Sequence, residues 1–224
     1  MPLLDRFIRL LDRLVWLSAR YIPFSALNTM LRTLDGSSTS LLDVGCGTGG
    51  PTHFIKRQKN YLRIGADVYA PSLKQAQGEE LYDMLVLCDL RRLPFKAKVV
   101  DIVTCLQTLE HFDRQDGLRL IGEMERIARR QVVITTPVGN WKQPPSVTNP
   151  FDEHKHIWSP SDLRELGYTV RGYGFRSFAG STGLVMRIPR LAMPLAYLGW
   201  AVVSPFAYYA PAMAGGVVCG KKLS

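Results

Sequence analysis

Two acids and a run of glycines are the residues of this chain whose types and spacing suit a binding chemistry. The run is Leu41-Leu42-Asp43-Val44-Gly45-Cys46-Gly47-Thr48-Gly49-Gly50, an apolar strand-like stretch that turns through glycines and meets Pro51. Glycines let a chain turn sharply and let a ligand approach the backbone with no Cβ in the way. Pro51 suits the first turn of a helix, where its missing N–H costs nothing. A helix N-terminus favours a carboxylate or phosphate beside it. Gly45, Gly47 and Gly50 satisfy the G-x-G-x-x-G spacing of dinucleotide sites, which alone is a weak signal. Asp43 argues against that ligand, because an acid two residues before the first glycine repels a pyrophosphate and suits an ammonium or a sulfonium. Asp67 ends the next apolar run, about 20 residues beyond the glycines, where an acid can accept from both hydroxyls of a ribose. On its own such an acid could equally cap the following helix.

A third stretch discriminates. Cys88-Asp89-Leu90, Leu93-Pro94-Phe95 and Asp101-Ile102-Val103 lead into Leu106-Gln107-Thr108-Leu109-Glu110-His111-Phe112. Taken with Asp43 to Gly50 and with Gly65-Ala66-Asp67-Val68, this series resembles the motifs of class I S-adenosylmethionine-dependent methyltransferases. The resemblance runs from about residue 40 to 139 and more weakly to about 178. It implies S-adenosylmethionine as cofactor, lying across Asp43, Gly45, Cys46, Gly47 and Gly49, with Asp67 and Val68 at the ribose. Asp89 would accept from the adenine amino group, with Leu90 lining the ring and Leu106 ending the strand below. Two departures stand out. Val100 replaces the usual Phe before the fourth-strand acid, an apolar exchange. Gln107 stands where some ubiquinone-pathway O-methyltransferases carry a metal-linked Glu, so no metal is expected. Asn149-Pro150-Phe151 resembles a signature of adenine amino-methyltransferases but follows the fifth strand instead of the fourth, and it reads as a loop.

Methyl transfer is an in-line displacement at a carbon already activated by the sulfonium, so positioning and desolvation supply much of the catalysis. A hydroxyl acceptor would also gain from a general base. His111, His154 and His156 are the catalytic candidates, with Asp152 beside them. In Glu153-His154-Lys155-His156-Ile157-Trp158 the two histidines share one face if the segment is extended, where they could contact substrate, serve as base or bind a metal. Trp141, Phe151 and Trp158 could close an apolar lid or simply pack. Two other classes use the same residues. One is a nicotinamide-dependent oxidoreductase; the other is a non-catalytic relative that binds the cofactor to scaffold a partner.

The elements that must position these residues alternate. Strand-like runs at 40–45, 62–67, 84–88, 100–106 and 131–136 are separated by helix-like segments at about 51–59, 71–80 and 114–129. Two further strands fit 167–178 and 216–219. Strands apolar on both faces and interleaved with helices indicate a doubly wound α/β fold. The expectation is one domain over 1–224: a mostly parallel, Rossmann-like seven-stranded sheet whose last strand is antiparallel, with helices on both faces. Before it, 1–35 reads as an amphipathic helical segment, with Leu3, Phe7, Leu10, Leu11, Leu14 and Leu17 at helical spacing. Residues 191–215 read as an apolar insertion. No charge occurs from Leu191 to Gly220, but Pro194, Pro205 and Pro211 should break up any membrane span.

A hydrophobic fraction of 46% with 21% charged residues excludes a disordered chain. The net charge of +9 favours anionic partners, a membrane surface among them, although no nucleic-acid module is evident. Cys46, Cys88, Cys105 and Cys219 form no C-x-x-C pair, which points away from zinc or redox use and toward a reducing, cytoplasmic setting. Charges from Asp5 to Arg13 interrupt any signal-peptide core. The acceptor is expected to be small or lipid-linked, with the protein peripheral to the membrane; the oligomeric state is not legible.

Overall fold

Side chains that alternate along each strand give this sheet two buried faces, each with its own apolar core. The computed structural model describes residues 21–50, 52–56, 62–139, 143–144, 149–175 and 193–223. The described elements are α1 (Ala26–Thr33), β1 (Ser40–Val44), α2 (Thr52–Lys56), β2 (Leu62–Asp67), α3 (Ala70–Gly78) and β3 (Met84–Leu87). There follow β4 (Val100–Leu106), a 3-10 turn (Leu109–His111), α4 (Arg114–Ile127), β5 (Ala128–Pro137) and α5 (Pro160–Glu165). The chain continues through β6 (Thr169–Phe175), α6 (Met193–Tyr209), a second 3-10 turn (Pro211–Met213) and β7 (Ala214–Lys222). Leu41, Ile102, Val133 and Val218 pack with Leu27 and Met30 of α1. Their neighbours Leu42, Val103, Val132 and Val217 pack with Leu120, Met124 and Ile127 of α4. This one-residue alternation, repeated across four strands, is what covers the sheet with helices on both sides.

The strands lie in the order β3-β2-β1-β4-β5-β7-β6. β1 to β5 are parallel, and β7 runs antiparallel between β5 and β6. β1 and β4 are buried along their whole length, whereas the edge strand β6 alternates buried and partly exposed residues. The doubly wound, mostly parallel seven-stranded sheet expected from the pattern is therefore present. The chain leaves β1 toward one edge and returns at β4 to build the other. The reversal opens a crevice at the carboxyl ends of β1 and β4, where ligands bind in such sheets.

Several boundaries differ from expectation. β5 begins at Ala128, immediately after α4, and β7 extends over nine residues where 216–219 was expected. Pairing with strands on both sides, rather than apolar content, sets their lengths. α6 runs through Pro194 and Pro205. Pro194 sits in the first turn, where no donor is lost, while Pro205 removes one interior hydrogen bond without ending the helix. Among the described residues no helix is long and apolar enough to cross a membrane. The amphipathic pattern at 3–17 lies outside the described residues; within 1–35, α1 supplies the helix, capped by Ser25, whose hydroxyl accepts from the Asn28 amide.

Candidate active site

The glycine turn leaves β1 through Gly45 at φ 72°, a left-handed conformation that favours glycine. Space demands glycine as well, since a Cβ here would fall 2.2 Å from the Thr108 side chain. The amides of Gly45 and Cys46 both donate to the Ala66 carbonyl, at 2.8 and 3.1 Å, tying the turn to β2. Asp67 then braces the loop from the other side. One of its oxygens accepts from the Gly47 amide at 2.7 Å and the other from the Tyr69 amide at 2.8 Å. Each carboxylate oxygen keeps a second lone pair, so the acid can still accept from a diol.

These residues form one wall of a cleft of about 500 Å³, a size that suits a small-molecule cofactor. Gly45, Gly47, Asp67, Val68, Asp89, Leu90 and His111 all line it, as the sequence led us to expect. Asp43, Cys46, Gly49 and Leu106 do not. Asp43 is buried beneath the turn, where its carboxylate accepts from the hydroxyls of Thr52, Tyr82 (2.7 Å) and Thr104 (2.8 Å). Burial pushes its carboxyl above the usual range, against those three donors, and the neighbouring Asp67 adds to the rise. Its contribution is to hold β1, β4 and the segment around Tyr82 under the glycines rather than to face the cleft. The Cys46 thiol turns to the Gly47 carbonyl and is pushed up by burial; Leu106 packs in the α1 core. Asp89 does face the cleft, but Arg91 holds it. The guanidinium donates to both carboxylate oxygens, one at 2.7 Å, and keeps the carboxyl below its ordinary value.

The other wall comes from residues not among the expected site residues. Gln107, Thr108, Asn149, Phe151 and Lys155 line the cleft, Phe151 having been expected only as part of an apolar lid. The segment read as a mere loop, Asn149 to Phe151, thus belongs to the site, and the Phe151 ring lies 6.3 Å from that of Tyr69. The signal available was the Asn149 side chain, whose oxygen accepts from the Phe151 amide in an Asx turn. Gln107 has φ 55°, an uncommon conformation for a residue with a side chain, at the carboxyl end of β4. Its amide donates to the Thr135 carbonyl and its side chain to the Tyr173 hydroxyl at 3.1 Å.

Gln107 and His111 also border a second cavity of about 370 Å³, shared with Glu110, Gln143, His154 and Tyr173. The segment after β5 is fastened across it: Lys155 and His156 both donate through their amides to the Glu110 carbonyl. His111 Nδ1 lies 3.1 Å from the Glu153 carbonyl. A carbonyl oxygen only accepts, so that nitrogen carries the proton and Nε2 the lone pair. Burial holds the His111 imidazole below its ordinary value, keeping it neutral. The His111 and His154 rings meet edge to face at 5.0 Å. The histidine pair expected to act together separates here, since His156 lines neither cavity and stacks on Trp158 at 5.0 Å. Trp158 forms no lid: fully buried, it donates from Nε1 to the Leu109 carbonyl and packs against Gly117. Trp141 lies outside the described residues.

Comparison with known proteins agrees with this arrangement. The model of a family described as methyltransferase domain matches residues 42–135, which hold the glycine turn, Asp67, Asp89 and β4. An uncharacterized protein of Methanocaldococcus jannaschii is 27% identical over 144 residues, 64% of this chain and 60% of its own length. The malonyl-[acyl-carrier protein] O-methyltransferase of Hamiltonella defensa is 28% identical over 128 residues, 56% of this chain and 48% of its own. The chain thus spans about half to three fifths of the curated relatives it matches. The crystal structure of a SAM-dependent methyltransferase from Archaeoglobus fulgidus superposes with TM-score 0.58 at 15% identity, covering 91% of this chain and 94% of that one, and so shares the fold. With the motifs in register, the sheet order of the fold and a cleft at its switch point, residues 42–135 of this chain match the methyltransferase-domain family, and the chain has the fold of class I S-adenosylmethionine-dependent methyltransferases.

Proposed function

We propose that the protein transfers the methyl group of S-adenosylmethionine to an oxygen of a small or lipid-linked acceptor held in the second cavity, beside the cofactor cleft. The observation that carries this reading is that Gln107 and His111 line both cavities. A methyl group presented from the cleft would therefore meet an acceptor in the second cavity without crossing water. In the displacement the carbon–sulfur bond breaks as the carbon–oxygen bond forms, and sulfur leaves as a neutral thioether. The hydroxyl proton passes to an imidazole nitrogen of His111 or His154, a role supported by both rings lining the second cavity. An oxygen acceptor agrees with the O-methyltransferase among the relatives. A lipid-linked one agrees with α6, which carries no charge and exposes Val202, Phe206 and Tyr209. Together with the basic net charge, that face suits an anionic membrane surface.

Calorimetric titration with S-adenosylmethionine, S-adenosylhomocysteine and NADH tests the cofactor. The expected result is saturable binding of the first two and none of the third. Binding of NADH alone would sink the proposal. Labelled methyl transfer to extract fractions, with and without anionic liposomes, then tests the acceptor. Incorporation into a lipid fraction is expected, whereas cofactor binding without transfer to any fraction would favour a scaffold.

A further inference from the structure

Glu110 is a carboxylate at 2% exposure whose near neighbours do not neutralise it. The Thr136 hydroxyl donates to Oε2 at 3.1 Å, and its own backbone amide assists. Among the described residues, no lysine or arginine lies within ion-pair distance of it. Taking a carboxylate out of water without a cation is costly, and proteins compensate by protonating it, pairing it with a charge or binding a metal. The groups beside Glu110 suit the last of these. Glu110, His111 and His154 each offer one donor atom, and these atoms lie within 4.8 Å of one another. Donors bound at about 2.1 Å to one tetrahedral ion sit about 3.4 Å apart, so side-chain movements of up to about 1.4 Å bring all three to one centre.

Independent features prepare these donors. The Glu153 carbonyl fixes the His111 tautomer through Nδ1, the outer-shell contact that orients metal-binding imidazoles. The His154 ring stands edge to face with it. The backbone amides of Lys155 and His156, bonded to the Glu110 carbonyl, hold the His154 segment against the 3-10 turn. All three residues line the second cavity, which leaves room for the remaining positions of an ion.

We infer that Glu110, His111 and His154 form a binding site for a single divalent transition-metal ion, open on one side to the acceptor cavity. Two imidazoles and one carboxylate suit zinc, manganese or ferrous iron better than magnesium or calcium, which prefer oxygen donors. An ion here would orient an acceptor oxygen and stabilise the charge it develops, the work otherwise asked of a histidine base. That role rests on the methyl-transfer reading; the site itself does not. Its third donor comes from the segment after β5, so the site does not need a ligand at Gln107, which lines the same cavity.

The test is titration of the chelator-treated full chain with Co²⁺, followed by visible absorption, then competition by Zn²⁺ and Mn²⁺. One equivalent of cobalt should bind and be displaced by zinc. His154→Ala and Glu110→Gln should each weaken binding by roughly 10–100-fold, as lost metal contacts do. S-adenosylhomocysteine affinity of His154→Ala should stay within about twofold, since His154 does not line the cofactor cleft. If Glu110→Gln fails to fold, the exposed-side variant His154→Ala decides. No cobalt binding, or binding as tight in His154→Ala as in the parent chain, would overturn the site. Cobalt binding without S-adenosylhomocysteine binding would uphold it and overturn methyl transfer instead.

Discussion

The two walls of this site are made in different ways. The cofactor wall is largely main chain: Gly45, Cys46, Gly47 and Tyr69 supply amides, and the Asp67 carboxylate and Ala66 carbonyl receive them within a span of 25 residues. The lining of the second cavity, which we propose holds the acceptor, is largely side chain, with Gln107 and His111 after β4, His154 after β5 and Tyr173 on β6. A main-chain wall needs particular residue types at fixed spacing and tolerates little substitution. A side-chain wall assembled from distant segments can be refitted one residue at a time. That division lets one fold keep its cofactor while its acceptors change.

The sharpest way to break the comparison is at Gly45. Gly45→Ala forces a methyl group into Thr108 at a positive φ. It should cost on the order of 3 kcal/mol of stability and abolish measurable S-adenosylhomocysteine binding; a normal melting temperature with normal affinity would refute a main-chain wall. Asp67→Ala removes the acceptor of two amides, and calorimetry should show affinity falling by roughly 10–100-fold, with Asp67→Asn intermediate. On the other wall, Tyr173→Phe should leave cofactor affinity unchanged and shift only the acceptor, raising its KM by a factor of about 2–10, the worth of one hydrogen bond. An effect on the cofactor instead would mean that the walls are not separate.

A smaller effect lies in the helix that follows the acceptor segment. Ser159 caps α5 in a reciprocal capping box with Asp162, and the Ser159 hydroxyl is the main reason the Asp162 carboxyl sits below its ordinary 3.8. A carboxyl lowered by folding contributes stability above its unfolded value and loses it as pH falls through the folded one. Ser159→Ala should therefore cost about 1 kcal/mol at neutral pH. Thermal melts should show that difference shrinking below about pH 3.8.

Most of the fold was legible because its strands are buried on both faces, so their apolar runs stand out between helical segments. Boundaries slipped where pairing partners, invisible to a local pattern, lengthen β7, and where α6 absorbs Pro205. Of the site, the residues that make main-chain turns were legible: Gly45, Gly47 and Asp67 reach the cleft as expected. Asp43 was misplaced because spacing gives its position along the chain but not the three hydroxyls that enclose it. The histidines were found without their grouping. His154 pairs with His111, 43 residues away, and not with its near neighbour His156, a choice made by the fastening of the segment to Glu110.

Arg91 has one more consequence, for selectivity among nucleosides. Three Arg91 donors, the backbone amide, Nε–H and Nη2–H, already occupy Asp89, leaving about one of its four lone pairs for an adenine amino group. The incoming base must then compete with a guanidinium already in place, and little discrimination is left at that edge. A hypoxanthine analogue of S-adenosylhomocysteine, which lacks the exocyclic amine, should therefore bind within roughly tenfold of the natural compound. In Arg91→Ala, with Asp89 free to accept, the gap between the two ligands should widen.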